Sequence, residues 1–583
     1  MLTRWGGVGF LSLILGPTAL WAATYFVAPG GSDRNPGTQS KPWATLGHAF
    51  TNCVAGDTTL VQPGIYTTPG KLAICTSHNG TSNAPILFRA NGSVTNRFPF
   101  AIKNAWNVFD GFTFTDLNTG YTCAWIARPA RYCTITNCTA KNMEGQGPFF
   151  DNPGDRNPPE GAAQYCTIIN CNFDTLTNGT FVTLMGVGNL VQGCRFANGY
   201  ACDALRVFGS NNVVRGCTFT NITDIDGYEN HPDILQTFGD TGYWLVDFLF
   251  EQNRVIHCPV QLMDFSMKST PATGVVIPTN HALWGVTVRN NLFTEANMQC
   301  SIVLPNIRFY NNTFYRCDNG AHLLGYTFYD PDPANRPYFR GEGYGGVVLN
   351  NAFIECGGGR AGAGWYTVAY EQTGVGNLTP LHAGGGGRTG SGRAYARFEN
   401  GLRVYGVYTN LSGTIQRGVV LLNGRDAYTV GASYFTNNWF LKDHAWVAGA
   451  GGYTVAEQQN YLYYGVVAFR IETTTYTNGE ISGPLPKFVP SPAPDLVADY
   501  NFVSSIGGLA KRGFREEHGI NGGNPKLVNP GTNFHLRPES ILLDAGTNLT
   551  SLGVTNDYSG VPRPQGTAFD LGAYEYDPGL KPH

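Results

Sequence analysis

The chain has 583 residues, of which 75 are Gly, 13% are aromatic and only 14% are charged, with a formal net charge of -3. A helical protein of this size would carry more Lys, Glu, Ala and Leu, and the absence of any basic tract excludes nucleic-acid binding through bulk charge. Gly, Asn, Thr, Val and Phe dominate instead, the composition of many short strands joined by tight turns.

Residues 1–22 read as an export signal. Arg4 supplies the positive start, Val8 to Leu20 an apolar stretch broken by Gly16 and Pro17, and Ala22-Ala23 a small-residue cleavage site. The stretch is too short and too broken for a membrane span, and no later segment has the length for one. An uncleaved N-terminal anchor is the alternative. The mature protein is expected to be secreted or held at the cell surface, to have no membrane span after signal removal, and to be a monomer. Residues 23–100 form an N-terminal cap and first coil, in which Cys53 and Cys75 are candidates for a disulfide that export would permit. No Cys pair has CxxC spacing convincing for zinc.

The segment 101–505 carries an internal repeat. Asn137-Cys138, Asn170-Cys171-Asn172-Phe173, Gly193-Cys194-Arg195-Phe196 and Gly216-Cys217-Thr218-Phe219 share one template. It continues in Asn290-Asn291-Leu292-Phe293, Asn311-Asn312-Thr313-Phe314, Asn350-Asn351-Ala352-Phe353 and Asn437-Asn438-Trp439-Phe440. A β-branched run leads to Gly or Asn, then Cys or Asn, a variable residue and Phe. Cys171, Cys194 and Cys217 are 23 residues apart. That period is too short for a strand–helix–strand unit and suits one coil of three short strands, each bonded to its equivalent in the next coil about 4.8 Å away. Like then stacks on like, giving an interior Phe ladder and a Cys ladder that becomes an Asn ladder. Buried Asn is tolerable there because stacked amides satisfy one another. The Cys are read as small hydrophobes in packing rather than as metal or redox groups. Longer gaps, such as Cys217 to Asn253 and Asn253 to Asn291, imply loop insertions that gather on one side of the coil. A Gly-rich insertion near 357–397, including Gly384 to Gly387, reads as an excursion without regular structure. Residues 506–583 form a C-terminal coil and tail. The fold class is all-β, a parallel β-helix with loop insertions.

Three segments align as the same strand in consecutive coils: Val182 to Gly186, Leu205 to Gly209 and Leu235 to Gly239. A fourth, Leu262-Met263-Asp264-Phe265, fits less well. Alternation puts Thr183, Arg206 and Gln236 on the outer face, one above another. Asp203 and Asp233, each two residues before the aligned apolar position, are expected at one corner on adjacent rungs. Stacked carboxylates suggest a raised pKa or a bound cation. Around them lie His231-Pro232-Asp233-Ile234-Leu235-Gln236 and the acidic insertion with Asp224, Asp226 and Glu229. The structural alternative is that Asp203 and Asp233 cap turn amides and His231 caps a loop. Tyr228, Tyr243, Trp244 and Phe265 flank these coils and are candidates for stacking on sugar, although aromatics packed beneath loops have the same pattern. Asp240, Asp247 and Glu251 read as solvated turn residues.

The ends of the mature chain add a resemblance. Tyr25-Phe26-Val27-Ala28-Pro29-Gly30-Gly31-Ser32-Asp33, Asn35-Pro36-Gly37-Thr38, Lys41-Pro42-Trp43-Ala44-Thr45 and Val61-Gln62-Pro63-Gly64-Ile65-Tyr66 resemble the entry segment of bacterial secreted pectate-lyase-like parallel β-helix proteins. Asp557-Tyr558-Ser559-Gly560, Pro562-Arg563-Pro564 and Asp570-Leu571-Gly572-Ala573-Tyr574-Glu575-Tyr576 resemble the end of choice-of-anchor β-helix proteins. The resemblance implies a right-handed, pectin-lyase-like solenoid acting on polysaccharide. The Asn-Thr-Asp, Asp-Asp and Arg-Ile-Lys signatures of polygalacturonases and the arginine motif of classical pectate lyases are not matched.

Asp203, Arg206, His231, Asp233, Gln236 and Asp264 are therefore the candidate catalytic set. A hydrolase would use Asp203 and Asp233 as the acid and the nucleophile or base, with Asp264 in reserve. A lyase would use His231 to remove the proton α to a uronate carboxylate and Arg206 to stabilise the enolate, with Lys268 a more distant cation. Ca²⁺ held by the acidic insertion is an alternative to Arg206; no other cofactor is implied. The rival to both is a noncatalytic surface β-helix that binds glycan or acts as an adhesin.

Overall fold

The computed structural model describes residues 22–67, 74–115, 123–147, 149–150, 163–225, 232–237, 245–265, 285–296, 300–302, 307–317, 321–325, 347–355, 497–504, 518–521 and 523–579, with short strands between 366 and 491. The backbone winds through three ladders of parallel strands. The first contains 13 strands, from Thr24–Val27 to Val497–Asp499. The second and third are joined into one 22-stranded sheet because the 13-residue strands Asn172–Leu184 and Arg195–Val207 run through both. In the regular coils a first-ladder strand leads into the second ladder through two residues, a left-handed one and an inward one, as Thr167–Ile169 leads through Asn170 and Cys171 into Asn172.

That turn explains the Gly or Asn of the repeat. Asn137, Asn170, Gly193, Gly216, Asn290, Asn311 and Asn350 all have φ between 50° and 62°. This is the left-handed region that Gly and Asn adopt at least cost. The next residue points inward. Cys138, Cys171, Cys194 and Cys217 are buried, and after Cys217 the column continues as Asn253, Asn291, Asn312, Asn351 and Asn501, none more than 1% exposed. Each amide oxygen caps the main-chain N–H one rung earlier: Cys217 N–H to Asn253 Oδ1 at 2.8 Å, Asn253 to Asn291 at 2.8 Å, Asn291 to Asn312 at 3.0 Å. The amide of Asn312 also donates to Asn351 Oδ1 at 2.9 Å and to the Val288 carbonyl at 2.9 Å. Phe173, Phe196 and Phe219 stack with centroids 5.0 and 4.8 Å apart, and Phe293, Phe314 and Phe353 with centroids 4.8 and 4.6 Å apart. A second column, in the turn before the first ladder, makes the same change from Cys133 and Cys166 to Asn189 and Asn212. Asn312→Leu removes the acceptor for two donors of Asn291 and the donor for Val288 without offering a replacement. It is expected to destabilise the coil by about 3 kcal/mol or more in urea unfolding, since each buried group left unmade costs about 1–3 kcal/mol. A loss below about 1 kcal/mol would mean the amide ladder is dispensable.

Cys53 and Cys75 are not joined in a disulfide, and Cys53 Sγ meets Thr59 Oγ1 at 3.1 Å instead of a sulfur. Burial pushes the Cys53 thiol up to about 11 and those of Cys202 and Cys258 up to about 12, as suits thiols that pack rather than react. Glu251 is not a solvated turn residue: it is 6% exposed and lies between Arg215 and Arg289, the latter at 2.7 Å.

The coil after Asn351 is built from far along the chain. Val347–Leu349 pairs with Val497–Asp499, and Ala352–Ile354 with Phe502–Val503, so some 150 residues separate two successive rungs. Asn437 to Phe440 lies outside the described residues; Asn501 takes the position after Asn351. Within the excursion, Tyr366–Ala369 extends the third ladder, and strands including Gly392–Arg397, Arg403–Tyr408 and Arg417–Val420 pair antiparallel, so the Gly-rich stretch does carry strands.

Past Ile520–Asn521 the chain turns back and lies along the outside of the second ladder. Leu292, Ala352 and Phe502, whose side chains alternate outward from Phe293, Phe353 and Val503, are covered by Leu527, Phe534, Leu536, Leu571 and Tyr574. The corner Asn now serve twice: the amides of Asn290, Asn311 and Asn350 donate to the carbonyls of Asn556, Asp570 and Thr547 at 2.8, 2.9 and 2.8 Å.

Candidate functional site

The third ladder brings the candidate residues together. Thr183 pairs with Arg206, Arg206 with Gln236, and Gln236 with Asp264, so the four share one outward column. Leu262 to Phe265 fits the alignment well once Met263, not Leu262, is set opposite Leu235.

Asp203 and Asp233 lie on adjacent rungs and are 4% and 0% exposed. Asp233 donates its main-chain N–H to Asp203 Oδ1 at 3.0 Å, while Arg206 Nε donates to Asp203 Oδ2 at 2.7 Å. One rung on, Gln236 Nε2 donates to Asp233 Oδ2 at 3.0 Å. The same i, i+3 pairing thus repeats with a cation on the first rung and a neutral amide on the second. Both carboxylates sit at the wall, and Arg206, with a side chain 30% exposed, is the part of the pair that reaches solvent. The guanidinium fixes the direction of the first carboxylate, and the carboxamide donor orients the second.

Two further residues belong to this wall and were not singled out in the sequence. Thr180 pairs in register with Asp203, as Thr183 does with Arg206. Both threonines are buried, and among the described residues neither hydroxyl has a hydrogen-bond partner. Gln261 lies in register with Asp233 on the opposite side. The signal for these was the register itself, carried one rung outward in each direction.

His231, Asp226, Glu229, Lys268, Tyr228, Tyr243 and Trp244 lie outside the described residues, and of Asp264 and Phe265 only the backbone is described. Asp224 accepts the N–H of its neighbour Ile225 at 2.9 Å. Among the described residues, no group of three or more His, Cys, Asp or Glu is placed to hold a metal ion. The Ca²⁺ alternative rested on the acidic insertion, and of its residues Asp226 and Glu229 lie outside the described residues.

Residues 25–238 match the family model described as Pel9A-like, right handed beta helix region, a stretch that contains Asp203, Arg206, Asp233 and Gln236. The fold is a right-handed parallel β-helix. A 64-residue stretch is 41% identical to the Uncharacterized protein YwoF of Bacillus subtilis (strain 168), covering 11% of this chain and 13% of that protein. The β-helix is also similar to a solved rhamnogalacturonan lyase, with 19% identity over 59% of this chain and 84% of the other and a TM-score of 0.38. For the crystal structure of pectate lyase Pel9A the figures are 16%, 48%, 77% and 0.36. No helix among the described residues is long and apolar enough to cross a membrane.

Proposed function

We propose that this β-helix is a secreted or surface-held enzyme that cuts acidic polysaccharide along the outward column of the third ladder, by elimination. The observation that carries the reading is the doubled carboxylate wall, Asp203 tied to Arg206 and Asp233 tied to Gln236, on adjacent rungs of one face. A polyanionic chain needs a cation at its carboxylate and a nearby proton acceptor. Arg206 supplies the first, with Asp203 fixing its direction. His231, two residues before Asp233 in the chain, is the candidate base, and Asp233 the group that orients or relays. The match of this stretch to a model named for Pel9A, a pectate lyase by its title, favours elimination over hydrolysis. In hydrolysis Asp203 and Asp233 would divide the roles of acid and nucleophile or base, and both oxygens of Asp203 are already engaged, by Arg206 and by the main-chain N–H of Asp233.

The test is incubation with pectate, rhamnogalacturonan and alginate while following ultraviolet absorbance of unsaturated uronate and new reducing ends. Both signals together are expected. Reducing ends alone would replace elimination by hydrolysis. One observation favours a noncatalytic glycan-binding wall: both carboxylates are nearly solvent-free. Retained binding with silence in both assays would establish that reading instead.

A further inference from the structure

The first rung of the solenoid is fastened just before its strand begins. Thr24–Val27 pairs in register with Thr58–Val61. Ala23, the residue before that strand, accepts the N–H of Thr58 at 2.8 Å and gives its own N–H to Asp57 Oδ1 at 2.9 Å. Asp57 is 3% exposed, and its second oxygen accepts the N–H of Val54 at 2.9 Å. Among the described residues no cationic side chain pairs with this carboxylate. The titratable groups set against it are Tyr25 and Cys53. Burial and the nearby carboxylate raise both, the thiol to about 11, so both are neutral at neutral pH. A buried carboxylate is usually paired with a cation, because two neutral donors replace only part of its lost hydration. Here the residue that binds Oδ1 is also the one that follows the candidate export cut, Ala22-Ala23.

We infer that hydrolysis of the Ala22–Ala23 peptide bond makes Ala23 the first residue of the mature protein, and that its new α-ammonium is the cation that pairs with Asp57. One water is consumed, with the exporting cell's signal peptidase as catalyst. Its oxygen joins the Ala22 carbonyl carbon, which leaves with residues 1–22 as a carboxylate. Both of its protons end on the Ala23 nitrogen. The contact at Oδ1 then changes from a neutral hydrogen bond to a charge-assisted one, roughly twice as strong, with the coil already in place. Ala22 is exposed, so the cut removes no buried group. It tightens the first rung as well as freeing the chain, whatever the chemistry at the Asp203–Arg206 wall.

For the test, the full chain is expressed in a secreting bacterium and the exported protein is sequenced from its N-terminus. Ala23 is the expected first residue; an uncut chain, or one that starts elsewhere, overturns the inference. A portion of the exported protein is then acetylated on its α-amine. The acetyl group restores the amide N–H and carbonyl of the uncut bond and removes only the charge. Hydrogen exchange at Thr58 to Val61 should become about tenfold faster in the acetylated protein, the loss expected for one charge-assisted bond. In the Asp57→Asn variant acetylation should change nothing, and an undiminished effect there would overturn the role of Asp57. Equal exchange in the free and acetylated wild-type protein would overturn the ion pair. That comparison decides the matter even where Asp57→Asn is not secreted.

Discussion

Asp233→Asn is expected to lower turnover of the acidic polysaccharide by about a hundredfold or more while moving the melting temperature by only a few degrees. The substitution is nearly isosteric and keeps the two contacts that build the wall. The main-chain N–H of residue 233 still reaches Asp203 Oδ1, and an amide oxygen still accepts from Gln236 Nε2. What disappears is the negative charge and the ability to take or hold a proton, the part that acid–base chemistry requires. Had Asp233 been only a strand-end cap, the outcome would reverse: a large stability loss with turnover largely kept. Steady-state kinetics and calorimetric unfolding on one preparation tell these apart. Gln236→Leu provides the internal control, because it removes the orienting donor and leaves the carboxylate in place.

The coil was legible because its period is carried by residues with no freedom to vary. A left-handed turn admits Gly or Asn, the inward position after it must satisfy a rung's N–H, and the Phe must stack. Asn501 escaped because the excursion between Asn351 and Asn501 breaks the count, and because Val503 stands where the template has Phe. The tail's cover was written in the variable position of the repeat, which changes from Thr139, Asn172, Arg195, Thr218 and Arg254 to Leu292, Thr313, Ala352 and Phe502, Thr313 alone staying polar because its hydroxyl accepts the N–H of Ala573 in the tail. Polarity at an outward position depends on what packs over it, and nothing local announces the partner. Glu251 shows the same effect with charge: its turn-like setting gave no sign of the two arginines that flank it from neighbouring rungs. At the site, alternation alone placed Thr183, Arg206 and Gln236 in one column. The pairings inside the wall follow from a shared spacing, Asp203 to Arg206 and Asp233 to Gln236, that reads as chemistry only once the two strands are known to be neighbours.

The larger stability effect belongs to the C-terminal motif, whose residues form a buried clasp. Arg563 Nη1 pairs with Glu575 Oε2 at 2.6 Å, both side chains 0% exposed, and Nη2 donates to the Gly572 carbonyl at 2.8 Å. Glu575 also accepts the N–H groups of Gln565 and Asp570 at 3.0 and 3.2 Å. Asp557 receives the N–H groups of Ser559, Val561 and Glu575. Gly572 has φ 90°, and a Cβ there would lie 2.6 Å from Thr313 Oγ1, so the strap lies directly on the coil. Arg563→Leu leaves the Glu575 carboxylate buried without its cation, a change that typically costs about 3–5 kcal/mol. The expected result is faster hydrogen exchange and proteolysis across 544–579, then aggregation as Leu292, Ala352 and Phe502 lose their cover. The double variant Arg563→Leu/Glu575→Leu removes both charges, and so should recover a good part of the loss. If the single variant keeps full protection of the tail, the clasp is not held by this pair, and the hydrogen bonds from Asn290, Asn311 and Asn350 must be sufficient to fasten it.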